Sequence, residues 1–452
     1  MERRQTDVLV IGAGIIGIAC AYYLKKAAPS LAVALVDRGA PLGFTSAQSG
    51  ENYRNWWPHP VMKRFTDRST DLMQEIAGET DNRISLTRRG YVLATRSADL
   101  DAILADLKAG YGDDASAIRV HDTAQAPDYA NPLEDDWRRV PGGVDVLADP
   151  RLIRATFPWL TGDIRTVLHI RRAGHVDGQQ LGAAMLERFR ESGGTRHTGM
   201  VRSIDRGEGF RVGLEGGGEI RCDRLVDAAG PFLGEIAAML GIDLPVTNVL
   251  QQKVAFEDTA GAIDRRMPFT IDLDPLTIDW DADERAALLS DPSTAAYAGE
   301  MRGAIHCRPD GGETGRWIKL GWAINDSPSR PTFEPELNPY FPELVLRAAA
   351  RAQPALRAYY GHLPRAMSHY GGFYTMTEEN WPLVGPMSVE GAFVAGAFSG
   401  FGTMAACAAG ELCAAWVLGE APTDDAIALS PLRFEDAALM SGLRGGASRG
   451  IL

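Results

Sequence analysis

The chain has 452 residues, 45% of them hydrophobic and 23% charged, with a formal net charge of −13. That length exceeds one ordinary core and predicts two domains or one interrupted domain, while the composition excludes disordered and fibrous classes. The acidic balance excludes the basic footprint that nucleic-acid binding needs. Cys20, Cys222, Cys307, Cys407 and Cys413 are scattered, with no CxxC pair. This reads as free thiols in a reducing, cytoplasmic compartment, with neither disulfides nor a bound metal. No stretch reaches the roughly 18 unbroken apolar residues of a membrane span. Arg3 and Arg4 precede an apolar run, but Gly12, Gly14 and Gly17 make it a strand entering a helix rather than a leader.

In chain order, Asp7 to Ile11 is a continuous β-branched-rich run, as a buried parallel strand requires. Gly12-Ala13-Gly14-Ile15-Ile16-Gly17 follows. Then Ile16, Cys20, Tyr23 and Leu24 recur at helical spacing, and residues 31–36 make a second strand ending at Asp37. The three pieces form a βαβ unit. Residues 42–60 are polar, glycine-containing and aromatic, and read as a loop able to lie against a ligand; 61–77 predict an amphipathic helix. Beyond residue 83 come short strands, such as 90–94, and polar helices. Dinucleotide-fold character returns over 174–241, with a helix at 181–193 and an apolar segment at 224–230. Residues 246–364 are strand-rich, with an acidic insertion near 279–291. A buried strand at 391–396 leads through Ser399-Gly400-Phe401-Gly402 into an apolar helix at 403–417.

The expected fold class is α/β. A Rossmann-like nucleotide-binding domain from 1–82, 166–245 and 365–435 interleaves with an α+β substrate domain of mixed and antiparallel sheet from 83–165 and 246–364. A mobile tail is expected over 436–452.

A lone GxGxxG is weak evidence, but this one follows a strand, opens a helix and has Asp37 twenty residues after Gly17. Gly12 permits the tight turn, Gly14 lets the backbone approach a pyrophosphate, and Gly17 lets helix and strand pack closely. Ile15 and Ile16 open a helix whose N–H groups and partial positive charge suit phosphates. Asp37 would accept hydrogen bonds from ribose hydroxyls. A nicotinamide enzyme would place its second mononucleotide half directly after the first. Here the returning pieces come more than 130 residues later and near the far end, which suits a long FAD held by separated segments.

Four stretches across most of the chain resemble the D-amino-acid oxidase superfamily and its sarcosine-oxidase-like branch. They are Val10-Ile11-Gly12-Ala13-Gly14-Ile15-Ile16-Gly17, then Gly174-His175-Val176-Asp177, then Asp227-Ala228-Ala229-Gly230-Pro231-Phe232. The last runs from Gly385-Pro386 through Ala395-Gly396-Ala397-Phe398-Ser399-Gly400-Phe401-Gly402 and is similar to the family's GFSGHG segment. The resemblance implies FAD lying between a Rossmann-like domain and a mixed sheet that covers the isoalloxazine. It also implies cofactor contacts from Arg38, Ser46, Gln48, Val201, Ala229, Gly230, Gly400, Phe401, Gly402, Thr403 and Met404. Gly400 and Gly402 let backbone N–H groups approach a flavin, and the following helix aims its positive end at charge that develops on reduction.

The same resemblance gives candidate catalytic residues. Lys319, in Trp317-Ile318-Lys319-Leu320-Gly321, matches a lysine that promotes the flavin's reaction with oxygen, a fixed cation acting by preorganisation. Arg54 looks like the family's active-site arginine, with one residue inserted before it. His306 falls near a substrate-contacting tyrosine. Three positions depart from the family. Gly372 stands where the covalent-flavin cysteine would be, so FAD is expected to be noncovalent. Trp57 and Met404 stand where two carboxylate-binding cations would be. With Tyr374 and Phe401, Trp57 implies an apolar, aromatic substrate pocket and a bulky or weakly anionic amine. The expected activity is oxidation of an amine or amino acid to an imine, oxygen reoxidising the flavin to give hydrogen peroxide. The alternatives are a dehydrogenase of the same fold that passes electrons to a quinone or protein carrier, a hydroxy-acid enzyme, and a non-catalytic flavin-binding assembly protein.

Overall fold

The computed structural model describes residues 3–112, 114–129, 138–312 and 314–443. The molecule is built on two large sheets. The first has eight strands. Its parallel centre runs Thr195–Thr198, Val33–Asp37, Arg3–Ile11, Glu219–Asp227 and Ala392–Gly396. Leu383–Pro386 extends it antiparallel beyond Ala392–Gly396, and the ribbon Val201–Gly207 and Gly209–Leu214 pairs with the early half of Glu219–Asp227. Alternation in Arg3–Ile11 sends Val8 and Val10 to one face and Leu9 and Ile11 to the other, and both faces are buried. Helices Ile15–Ala27, Pro60–Glu79, Gly178–Glu191 and Gly402–Leu418 cover the Val8 face.

The second sheet has nine strands, in the order Met367–Met376, Thr247–Glu257, Trp317–Trp322, Ile305–Asp310, Phe269–Asp272, Tyr91–Thr95, Thr166–Ile170, Val144–Leu147 and Ile118–His121. It is antiparallel except for Phe269–Asp272 beside Tyr91–Thr95 and Ile118–His121 beside Val144–Leu147. Val254, Phe256, Ile318 and Leu320 point to one face, under helix Phe341–Ala352. The opposite face carries the polar residues described below, and from it Lys253 and Lys319 reach Gln48 and Glu51. A short ribbon, Asn52–Arg54 against Ala173–His175, ties the two halves together.

The structure moves two expected boundaries and shortens the expected tail. Thr166–Ile170, expected in the nucleotide segment 166–245, is held between Tyr91–Thr95 and Val144–Leu147 in the nine-stranded sheet. Met367–Met376, expected in the segment 365–435, pairs along its whole length with Thr247–Glu257. Of the tail 436–452, Ala437–Leu443 is a helix that buries Met440 and Leu443; residues 444–452 lie outside the described ones. The helix expected at 181–193 begins earlier, at Gly178, because the Asp177 carboxylate caps the Gln180 N–H. The acidic insertion is an exposed helix, Ala282–Ser290, closed by an Asp281/Glu284 capping box. Among the described residues no helix is long and apolar enough to cross a membrane.

Candidate functional site

The glycine turn sits at the carboxyl ends of the parallel strands, where open α/β sheets bind ligands. Gly12 has φ +107°, and a Cβ there would lie 2.3 Å from the Ala228 carbonyl oxygen; one on Gly17 would lie 1.9 Å from the Gly12 oxygen. No side chain fits at either place. A Cβ on Gly14 would be 3.3 Å from Ser46 Oγ, which accepts a hydrogen bond from Ile15 N–H at 3.0 Å. Ile16 is half-buried on the same first turn. Asp37 accepts from Ala13 N–H at 2.7 Å and from Gly39 N–H at 2.8 Å, so its carboxylate is fixed at the mouth of the turn. Ala229 and Gly230 (φ +59°) form the next loop. At its base burial pushes the Asp227 carboxyl well above its usual range, and Asp227 Oδ2 meets no hydrogen-bond partner among the described residues. Val201 begins the neighbouring ribbon, and the Arg38 guanidinium lies 3.5 Å from the Phe333 ring centroid. Side-chain-free turns, an ordered carboxylate and an unpaired buried oxygen gathered at one sheet edge fit a dinucleotide cofactor.

The C-terminal loop closes the other side. Phe401 caps helix Gly402–Leu418, and a Cβ on Gly400 would fall 2.5 Å from the Tyr374 ring. Thr403 Oγ1 lies 2.8 Å from Ser49 Oγ, and Met404 is buried with Trp57 and Phe401, whose rings meet edge-on at 4.8 Å. Gly372 is also tight: a Cβ there would lie 3.1 Å from the Gln48 side chain.

Arg54 is buried, 5.2 Å from the Trp57 ring centroid, and burial lowers its pKa to about 10. His306 packs at 5.1 Å against Phe269, which meets Tyr91 at 4.6 Å; the Tyr91 phenol in turn interacts with the Arg54 charge. Burial, and then the nearby Lys253 charge, lower His306 to about 3, so it stays neutral at physiological pH. Neighbours run from Phe401 through Trp57 to Arg54, whose charge reaches Tyr91, then through Phe269 to His306, whose ring feels the Lys253 charge, and on to Tyr374, which packs against Gly400 of the C-terminal loop. The sequence-level candidates Arg54, His306, Trp57, Tyr374 and Phe401 are thus brought together.

Lys319 stands differently. It is 9% exposed and lies 3.2 Å from Glu51 Oε2 and 3.6 Å from Asp310 Oδ2. Arg308 joins the same two carboxylates, at 3.3 Å and 2.8 Å. Burial and the Arg308 charge lower Lys319 more than Glu51 and Asp310 raise it. Asp310 is pushed up by burial but held below its usual range by Arg308 and Lys319. Two cations and two acids therefore form a balanced cluster. Sequence reasoning missed Glu51, Arg308, Asp310 and Lys253. Only Lys253 carried a readable signal, in the alternation of Val254 and Phe256 around it.

Comparison with known proteins agrees with this geometry. Human mitochondrial dimethylglycine dehydrogenase is 23% identical over 441 residues, covering 95% of this chain and 44% of its own length. The chain thus spans less than half of that relative. A glycine oxidase of Pseudomonas aeruginosa is 26% identical over 274 residues, covering 57% of this chain and 64% of its own. Among solved structures, L-proline dehydrogenase from P. horikoshii superposes with a TM-score of 0.72 at 17% identity, over 96% of this chain and 99% of its own. Iminodiacetate oxidase from Chelativorans sp. gives 0.69 at 20% identity, over 94% and 98%. These two likenesses show the fold. The family model described as "DAO: FAD dependent oxidoreductase" matches residues 7–416, and with the glycine turn, Asp37 and the Gly400–Gly402 loop in place, the chain belongs to that family of FAD-dependent oxidoreductases.

Proposed function

We propose that the chain oxidises the C–N bond of an amine or amino acid to an imine, with oxygen as the final acceptor and hydrogen peroxide as its product. The observation that carries this reading is the grouping of Tyr374, Lys253, His306, Phe269 and Tyr91 on the nine-stranded sheet with Arg54, Trp57 and Phe401 from the loops. Bound FAD supplies the two-electron acceptor for the hydride that leaves the carbon beside the substrate nitrogen. The chain's residues do the rest. The aromatic walls orient the substrate and keep water out, and neutral His306 presents a polar edge without a competing charge. The relatives' names, dimethylglycine dehydrogenase, glycine oxidase and L-proline dehydrogenase, all denote enzymes of amino or N-methylated amino acids.

Anaerobic mixing of the yellow protein with a panel of amines and amino acids tests the reading: the flavin band bleaches with a substrate and returns on aeration with one peroxide per turnover. No bleaching by any member of the panel overturns it. The balanced cluster around Lys319 favours a second reading, a dehydrogenase, because Glu51 and Asp310 offset the charge that oxygen would use. Bleaching without peroxide selects that reading. The cofactor is held noncovalently, since Gly372 offers no side chain. Acid precipitation is expected to leave all FAD in the supernatant, and flavin remaining with the pellet would refute this. A reducing, cytoplasmic setting fits the five cysteines, all free and buried.

A further inference from the structure

Lys253 lies in the middle of strand Thr247–Glu257 and is only 6% exposed. Its neighbours Val254 and Phe256 enter the core beneath helix Phe341–Ala352, so Gln251, Lys253 and Ala255 share the face toward the cofactor loops. The register runs from Lys253 across Gly321 to His306. Gly321 has no side chain, and the His306 ring fills its place, with Nε2 2.1 Å from where a Cβ would be. Lys253 Nζ donates to the Gln48 carbonyl at 3.2 Å and lies 5.6 Å from the Tyr374 ring centroid. Its surroundings contrast with those of Lys319 and Arg308, which share Glu51 and Asp310. Among the described residues no carboxylate pairs with Lys253, and burial alone draws it down to about 8. A buried ammonium with no counter-ion is costly unless a ligand supplies the anion.

We propose that Lys253 anchors a carboxylate of the substrate, so that the oxidised nitrogen belongs to an amino acid with an apolar or aromatic side chain rather than to a simple amine. This rests on the amine-oxidising reading above. Trp57 and Met404 carry no charge at their own positions, so the cations left beside the pocket are Arg54 from the loop and Lys253, which supplies its charge from the sheet. The ammonium donates charge-assisted hydrogen bonds to the carboxylate. Trp57, Phe401 and Tyr374 receive the side chain. The aromatic pocket and a charged substrate are thereby compatible, although the sequence alone sets them against each other.

The test uses the FAD-loaded protein titrated with phenylacetate and with its neutral isostere phenylacetamide, read from the shift of the flavin absorption band. The parent is expected to bind the acid about ten- to a hundredfold more tightly than the amide. Lys253→Met is expected to abolish that preference, weakening binding of the acid far more than binding of the amide, while Lys253→Arg keeps most of it. Lys253→Gln, which retains a donor for the Gln48 carbonyl, removes the charge alone and serves if the methionine variant loads FAD poorly. A parent with no preference for the acid overturns the proposal, and so does a charge-free variant that keeps the preference. The anaerobic panel separates this from failure of the underlying reading. Bleaching by amines and amino acids alike, with no gain from a carboxylate, overturns the anchor only. No bleaching at all overturns the amine-oxidising reading beneath it.

Discussion

At Lys253 burial draws the ammonium's pKa from 10.5 to about 8, and linkage gives the sign of the consequence. Between those values the unfolded chain binds more protons than the folded one, so this group's contribution rises as pH rises through the window and is lost as pH falls back through it. Below it the folded state carries the whole penalty, on the order of 3 kcal/mol. Lys253→Met is therefore expected to stabilise the substrate-free protein at about pH 7 by up to about 3 kcal/mol, with the gain shrinking toward about pH 10. Urea unfolding of both proteins at the two pH values checks it, and an equal difference at both refutes it. Lys319→Met probes the balanced cluster. With oxygen as acceptor it is expected to slow reoxidation more than substrate reduction, but by less than the roughly hundred- to thousandfold of an unopposed cation, because Glu51 and Asp310 offset the charge. Stopped-flow timing of the two half-reactions decides, and unchanged reoxidation leaves Lys319 as the structural partner of Glu51 and Asp310. The sequence offered Lys319 through its resemblance. It hid the neutralising acids, because Glu51 arrives from a loop with φ +59° and from the other half of the molecule.

Elements whose identity is written locally were legible. The first strand, glycine turn and helix follow from an apolar run, three glycines and a 3.6-residue stripe, and they appear as Arg3–Ile11 and Ile15–Ala27. Which sheet a strand joins is not written locally, and that is where the reading failed. Thr166–Ile170 and Met367–Met376 look like any apolar strand, and only their distant partners place them in the nine-stranded sheet. Helix pairing offers a direct test. Gly410 lets helix Gly402–Leu418 approach helix Ile15–Ala27 so closely that a Cβ there would lie 2.6 Å from Ala19 backbone carbon. Gly410→Ala is expected to cost about 1–3 kcal/mol by forcing the two helices apart. A denaturation midpoint equal to the parent's would show that the pair yields without strain.

On the scale of the whole molecule, the cofactor loops come from four distant places, near residues 12, 46, 229 and 400, and only the folded state brings them together. A ligand that binds only the folded state stabilises it by mass action, by about 2.7 kcal/mol at a hundred times its dissociation constant. The denaturation midpoint of the apoprotein is expected to rise with FAD concentration on that curve, and a midpoint insensitive to FAD would refute the assembly of those loops into one site. The interleaving of the two sheets also has a consequence in time. Arg3–Ile11 is made well before one of its two partners, Glu219–Asp227, which follows about two hundred residues later. At translation speeds of about 5–20 residues per second, the strand's open edge waits roughly 10–40 seconds on the ribosome. An unpaired apolar edge is an aggregation hazard, so the nascent chain is expected to depend on chaperone cover through that interval, a vulnerability that the finished molecule no longer shows.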